Sequence, residues 1–299
     1  MKIQSNMHIN NHNMTSRNIE KKENVDLSNY STMKVGGVGK VIYFPKNHFE
    51  LIEILENIGD EKFFILGNGS NILFRDEGYD GTLISLKCFD KIKILDDHIW
   101  CGAGVNLFKL NQILMKNGKS ALEWSYGIPG TLGGLVYMNG GSFGSEICDF
   151  VDEIIVLEDK KVKKIARKDI KFEYRSSNLK NCVILWVRLH IRNDTSENVQ
   201  NKMNYFLQQK RDKQPCDLPS LGSVFKIIFG DETIYPAKLI DNLGLKGVKI
   251  GGAEISKKHA GFIVNSSSAT SQDILDLIEF VEKKVGEKGV VLEREIIVL

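Results

Sequence analysis

Glycine placement constrains this chain more than any other feature of its sequence. Seven of the eighteen residues from Gly127 to Gly144 are glycine, and a second cluster, Gly67-Asn-Gly-Ser-Asn71, directly follows the apolar run Phe63-Phe-Ile-Leu66. A glycine turn after a strand permits φ > 0 and offers successive backbone N–H groups to an anion with no side chain in the way. Either cluster alone reads as tight turns in a β-rich domain. Together, each furnished with Ser, Thr or Asn, they point to a diphosphate ligand.

The two common nucleotide frames do not fit. Gly118-Lys119-Ser120 has the ending of a P-loop, but Ile113 stands where the first glycine is required. Neither Gly67-x-Gly69 nor Gly102-x-Gly104 reaches a third glycine at dinucleotide-fold spacing, because Ile72 and Leu107 occupy those positions.

Composition narrows the class. A length of 299 residues suits about two domains, and 42% hydrophobic with 26% charged residues excludes disorder or fibrous structure for the bulk of the chain. The 40 basic and 38 acidic side chains nearly cancel, which argues against a dedicated nucleic-acid binder. No run approaches the ~20 apolar residues of a membrane span, and the N-terminus lacks the apolar core of a secretory signal. A cytoplasmic chain is therefore expected. The five cysteines (Cys88, Cys101, Cys148, Cys182 and Cys216) are widely spaced with no C-x-x-C, so neither a disulfide framework nor a structural zinc is expected. His8 and His12 have i, i+4 spacing but no third ligand, so no metal site is expected.

The polar segment 1–28 reads as a flexible tail. Apolar runs at 41–44, 63–66, 82–86, 151–157 and 182–191 read as strands. Periodicity predicts helices over about 49–58 and 107–117, the second stopped by Gly118. A Lys- and Gln-rich helix follows at 196–213, then a strand at 223–227, a helix at 237–243 and a strand at 261–264. A helix over 272–285 carries a stripe of Ile274, Ile278, Val281 and Val285, capped by Thr270 or Ser271, and a last strand runs over 290–299. The layout is α+β rather than doubly wound.

Seven motifs occur in order: Ser31-Thr-Met-Lys-Val-Gly-Gly37, Ile65-Leu-Gly-Asn-Gly-Ser-Asn71, Gly127-Ile-Pro-Gly-Thr-Leu-Gly-Gly134, Phe172-Glu-Tyr-Arg-Ser-Ser177, Gly222-Ser-Val-Phe225, Ile250-Gly-Gly-Ala-Glu254 and Leu292-Glu-Arg-Glu295. Over about residues 29–297 the chain resembles the UDP-N-acetylenolpyruvoylglucosamine reductases of the shorter (type II) subclass. The resemblance implies a two-part FAD-binding domain of the flavin-oxidase (PCMH-like) type plus a smaller C-terminal α+β substrate-binding domain. The corresponding limits here are 29–88 and 89–197 for the two FAD-binding parts. The substrate domain is 198–299, with its final strand returning to the active site.

FAD would be non-covalent, since 67–71 contains no His or Cys for attachment. The implied cofactor contacts are Gly67, Asn68, Gly69, Ser70 and Asn71 on the first loop. On the second they are Gly127, Ile128, Pro129, Gly130, Thr131, Gly133 and Gly134, with Asn139 and Gly141 beyond it. NADPH would be the co-substrate, and UDP-N-acetylglucosamine enolpyruvate the substrate.

The implied reaction is reduction of a vinyl ether, with hydride from flavin N5 to the enolpyruvyl β-carbon. Negative charge then gathers on the substrate carboxylate and the α-carbon needs a proton, which calls for a cation or strong donors and a positioned acid. Arg175 matches the family's catalytic arginine, Ser223 its proton donor and Glu295 its catalytic glutamate. Glu295 must be protonated or paired with Arg175 to assist an anion, so a perturbed pKa is expected. Taken singly, the three read as a surface charge, a turn hydroxyl and an edge-strand carboxylate. Tyr174, Lys213, Lys226 and His259 are the implied substrate contacts; solvated lysines and a satisfied histidine are the alternatives.

Ile227-Ile228 stands where the family has a polar turn, Leu221 replaces a usual Ala, and Tyr235-Pro236 departs from Ala-Gly. These departures bear on substrate fit. Peptidoglycan precursor synthesis, and with it cell shape and division, is the implied setting, with a monomer expected and no nucleic-acid or membrane partner. A flavin oxidase acting on another substrate and a non-catalytic UDP-sugar-binding protein are the rival readings.

Overall fold

The computed structural model describes residues 19–299. His8 and His12 lie outside the described residues. Three sheets carry the fold. In the first, Val38–Tyr43, Tyr79–Ser85 and Phe63–Leu66 run parallel, and Lys21–Asp26 adds an antiparallel edge. The crossover helix α1 (His48–Ile58) begins at Asn47, whose side chain accepts from the Phe49 and Glu50 N–H groups.

The second sheet is wholly antiparallel, in the order Lys161–Ala166, Val151–Glu158, Val183–His190, His98–Gly102 and Ile92–Ile94. Helix α2 (Leu107–Lys116), capped by Asn106, buries Leu107, Leu110 and Leu114 in the same core. Short helix α3 (Leu132–Tyr137) packs beside it in that core, and α4 (Ser196–Lys213) leads out of the unit.

The third sheet is also antiparallel: Ser220–Ser223, Phe262–Asn265, Ala253–Ile255 and Lys249–Ile250. Helix α5 (Pro236–Asn242) joins its core through Ile240. Helix α6 (Ser271–Gly286) packs on the sheet with Ile274, Ile278, Val281 and Val285 inward, as its periodicity predicts, behind a Thr270–Asp273 capping box. Met33, Val35 and Leu73 also enter this core, so the N-terminal segment and the third sheet share apolar packing.

Three sequence expectations are corrected. Lys21–Asp26 is a paired strand, not part of a loose tail; its mostly exposed polar side chains carry no periodic signal, and its backbone ladder supplies the order. The strand predicted at 223–227 lies at Ser220–Ser223 and is irregular around Gly222, whose φ of +81° favours glycine; beyond it, Phe225 makes an isolated bridge to Arg294. The strand predicted over 290–299 narrows to Ile297–Val298, which runs parallel to Ile72–Leu73. Among the described residues no helix is long and apolar enough to cross a membrane.

Candidate active site

A cavity of about 1210 Å³ opens where the three sheets meet. Both glycine loops wall it, together with Tyr174, Arg175, Ser223 and Glu295. The loops also brace each other: the Asn68 side-chain amide donates to the Pro129 carbonyl at 2.7 Å, and a Cβ on Gly67 would sit 2.8 Å from Thr131 Oγ1.

The glycines divide by what requires them. At Gly69, φ is +63° and a Cβ would collide with the Tyr30 carbonyl oxygen at 1.8 Å, so the fold itself demands glycine. Gly130 and Gly134 line the cavity, yet an added Cβ would meet no protein atom closer than 3.4 Å. Protein packing does not account for those two. They leave free space on the cavity wall where a ligand can approach the backbone closely.

Arg175 sits on a two-residue hairpin between Phe172–Glu173 and Ser176–Ser177, in the left-handed region at φ +54°. A non-glycine residue there stores on the order of 1 kcal/mol of strain, which the surrounding contacts must hold. Ser177 Oγ donates to the Tyr137 carbonyl at 2.6 Å, and the Arg175 Nη2 donates to the Gly141 carbonyl at 3.1 Å. Nε donates to Glu295 Oε1 at 3.0 Å. Nη1 lies 3.5 Å from Glu146 Oε1 without hydrogen-bond geometry, and is buried with no partner. One guanidinium donor is thus unspent in a residue lining the cavity.

Glu295 is held by its backbone. Its N–H donates to the Val224 carbonyl at 2.7 Å, and its carbonyl accepts from the Asn71 amide at 2.9 Å. These two bonds tie the first glycine loop, the C-terminal segment and the residue after Ser223 into one unit. Burial pushes the Glu295 carboxyl above the usual carboxylate range, and Arg175 offsets only part of that shift. Both halves of the sequence expectation for Glu295, pairing and perturbation, are present. Ser223 Oγ makes no hydrogen bond among the described residues, so its proton is uncommitted.

Several other assignments move. Asn139 does not line the cavity: it is 1% exposed and donates to Glu146 Oε2 at 2.9 Å and to the Glu173 carbonyl at 3.1 Å. It positions the Arg175 hairpin and its acidic neighbour rather than touching a cofactor. Lys226 alternates outward between Phe225 and Ile227, which line the cavity, and pairs with Glu293 at 2.6 Å. His259 also lies off the lining; its Nδ1 accepts from the Gly261 N–H at 3.2 Å and its ring packs edge-on against Phe262. Lys213 is exposed and off the lining, and Lys210, one turn earlier on α4, faces the cavity instead.

Tyr174 holds its expected place. Its hydroxyl accepts from the Ile227 N–H at 3.4 Å, and Phe229 packs edge-on at 5.0 Å. The departure at Ile227-Ile228 therefore puts an apolar side chain, Ile227, on the cavity wall, next to a turn closed by Ile228 and Ile234. Sequence reasoning missed Thr32, Asn106 and Lys210 as lining residues. Thr32 stood in a quoted motif, and its Oγ1 donates to the Ser220 carbonyl at 2.7 Å; for Asn106 and Lys210 no local pattern separated them from a helix cap and a helix lysine. Charge is concentrated here: Lys87, Arg175, Lys180 and Lys210 line the cavity against one carboxylate, Glu295, among the described residues. A chain of formal charge +2 thus presents an anion-seeking interior.

Comparison with known proteins supplies the family. Residues 39–160 match the family described as FAD binding domain, and residues 214–299 match the UDP-N-acetylenolpyruvoylglucosamine reductase C-terminal domain. The UDP-N-acetylenolpyruvoylglucosamine reductase of Thermotoga petrophila is 41% identical over 273 residues, covering 90% of this chain and 95% of the relative. The chain belongs to the UDP-N-acetylenolpyruvoylglucosamine reductase family. The Prochlorococcus marinus reductase is 40% identical across 94% of this chain and 97% of its own. A crystal structure of the Thermus caldophilus enzyme superposes with a TM-score of 0.80 at 30% identity, covering 94% of this chain and 98% of that one. Both glycine loops fall within the FAD-binding match, and the unfilled positions at Gly130 and Gly134 suit that cofactor. The protein is an FAD-containing oxidoreductase of this family.

Proposed function

We propose that this protein reduces UDP-N-acetylglucosamine enolpyruvate to UDP-N-acetylmuramate with NADPH as reductant, as a cytoplasmic monomer in peptidoglycan precursor synthesis. The observation that carries the reading is the meeting of Arg175, Ser223 and Glu295, far apart in the chain, on one cavity already walled by two glycine loops. FAD, when bound, supplies the hydride that reaches the enolpyruvyl β-carbon.

The chain's own groups handle the charge and the proton. Arg175 lines the cavity, and its guanidinium is the cation that stabilises the negative charge growing on the substrate carboxylate as the double bond is reduced. Glu295, whose carboxyl burial pushes above the usual carboxylate range, accepts from the Arg175 Nε and so holds the guanidinium beside the same developing charge. Ser223 transfers its uncommitted proton to the α-carbon. A serine hydroxyl is a weak acid, but the enolate it meets is a strong base, and closeness makes the transfer efficient.

The test separates the two halves of the reaction. Anaerobic addition of the enolpyruvyl substrate to the NADPH-reduced protein should reoxidise the flavin, seen as return of its visible absorbance. Reoxidation by dioxygen alone would favour a flavin oxidase acting elsewhere. Ser223→Ala should leave reduction by NADPH intact and slow substrate-driven reoxidation by about 10²–10⁴-fold. Equal damage to both steps would remove Ser223 from this role.

A further inference from the structure

Lys210 is 6% exposed and lines the cavity from α4. Its stem packs against the second glycine loop: a Cβ on Gly127 would lie 3.5 Å from Lys210 Cδ. Among the described residues its ammonium has neither an ion-pair nor a hydrogen-bond partner. Burial without compensation draws its pKa down to about 8, which still leaves it largely charged near neutrality. A buried, unpaired ammonium is costly, and a fold tolerates one where something outside the protein completes it. The other lining cations are differently placed: Arg175 is committed to Glu295 and Gly141, Lys87 pairs with Glu20, and Lys180 is exposed.

We infer that Lys210 is the cation that meets the diphosphate of the bound FAD from the α4 side of the cavity. Its neighbour Gly127 opens the second glycine loop, which walls the cavity and lies within the FAD-binding match. Ser223 and Glu295, the groups proposed for the substrate, come instead from the C-terminal part. The inference rests on the cofactor assignment and not on the identity of the reduced substrate.

Lys210→Met keeps length and removes the charge; Lys210→Arg keeps the charge. Flavin retention is read by fluorescence recovery as each purified holoenzyme is diluted, and thermal midpoints are taken with and without flavin. Lys210→Met should weaken FAD binding by at least about 10-fold, as loss of a charged hydrogen bond requires. Lys210→Arg should recover most of it. The flavin-free Lys210→Met chain should be no less heat-stable than wild type, since the charge it loses was unpaired. A purely structural lysine would lower both readouts together, and that result overturns the inference. So does unchanged FAD retention, including the case where only the KM for the UDP-sugar rises. A wild-type chain that held no flavin would instead sink the cofactor assignment itself.

Discussion

Arg294 and Glu295 are sequence neighbours that do opposite things. Arg294 turns outward and grips Glu282 on α6 through two parallel bonds of 2.6 Å, from Nε and Nη2, which raises its own pKa. Glu295 turns into the cavity and takes a single 3.0 Å bond from Arg175, whose remaining Nη1 is unmatched. Both are arginine–carboxylate pairs. The first is bidentate and helps hold the C-terminal segment; the second is joined by one hydrogen bond and lines the cavity, where a ligand can reach it. Bond geometry and placement, not charge or residue type, separate the two pairs.

The largest test of that contrast is Arg175→Met, which should cut substrate-driven flavin reoxidation by about 10²–10⁴-fold, whereas Arg294→Met should leave its rate within about twofold. Comparable losses in the two variants, measured by anaerobic stopped flow, would erase the distinction. Next in size is Asn139→Ala. Removing the buried amide that bonds Glu146 and the Arg175 hairpin should cost about 1–3 kcal/mol in denaturant unfolding. It should also lower the rate of substrate reduction without changing the reduction of flavin by NADPH, as befits a positioning residue. A stability loss with unchanged substrate reduction would show the hairpin keeping Arg175 in place without it.

A smaller effect follows from pH. The folded-state pKa of Glu295 is raised, so its contribution to stability is full below the ordinary carboxylate range and is lost as pH rises through the folded value. Glu295→Gln cannot follow that loss. Its stability relative to wild type should therefore rise as pH increases above the ordinary carboxylate range, read from urea midpoints at each pH. A flat difference would mean that the Arg175 pairing cancels the effect of burial. The smallest effect belongs to the bidentate pair: Glu282→Gln should cost about 0.5–1 kcal/mol and leave flavin chemistry untouched. A cost well above that would mark Arg294 as an anchor for the whole C-terminal segment.

Legibility followed the range of the forces involved. Helices α2 and α6 were readable because an apolar stripe or a capping residue states a helix locally, as Thr270 and Asp273 do for α6. The strand Lys21–Asp26 was not, because nothing in Lys-Lys-Glu-Asn-Val-Asp records that its backbone will pair with Val38–Tyr43. Arg175, Ser223 and Glu295 were recognisable through motif resemblance, and their lining of one cavity is a fact of the folded chain. Lys213 and Lys210 differ by one turn of α4, and a run of polar residues gives no phase by which to choose between them.

What the amino-acid order determined alone is the set of parts: two glycine-rich loops, the helices with their caps, and an Arg, a Ser and a Glu in motif settings. Tertiary structure decided which charges were left unfinished. Whether an arginine or lysine is saturated depends on partners that arrive from distant segments and on how much water is excluded around it. Those two quantities exist only once the sheets have closed on the cavity.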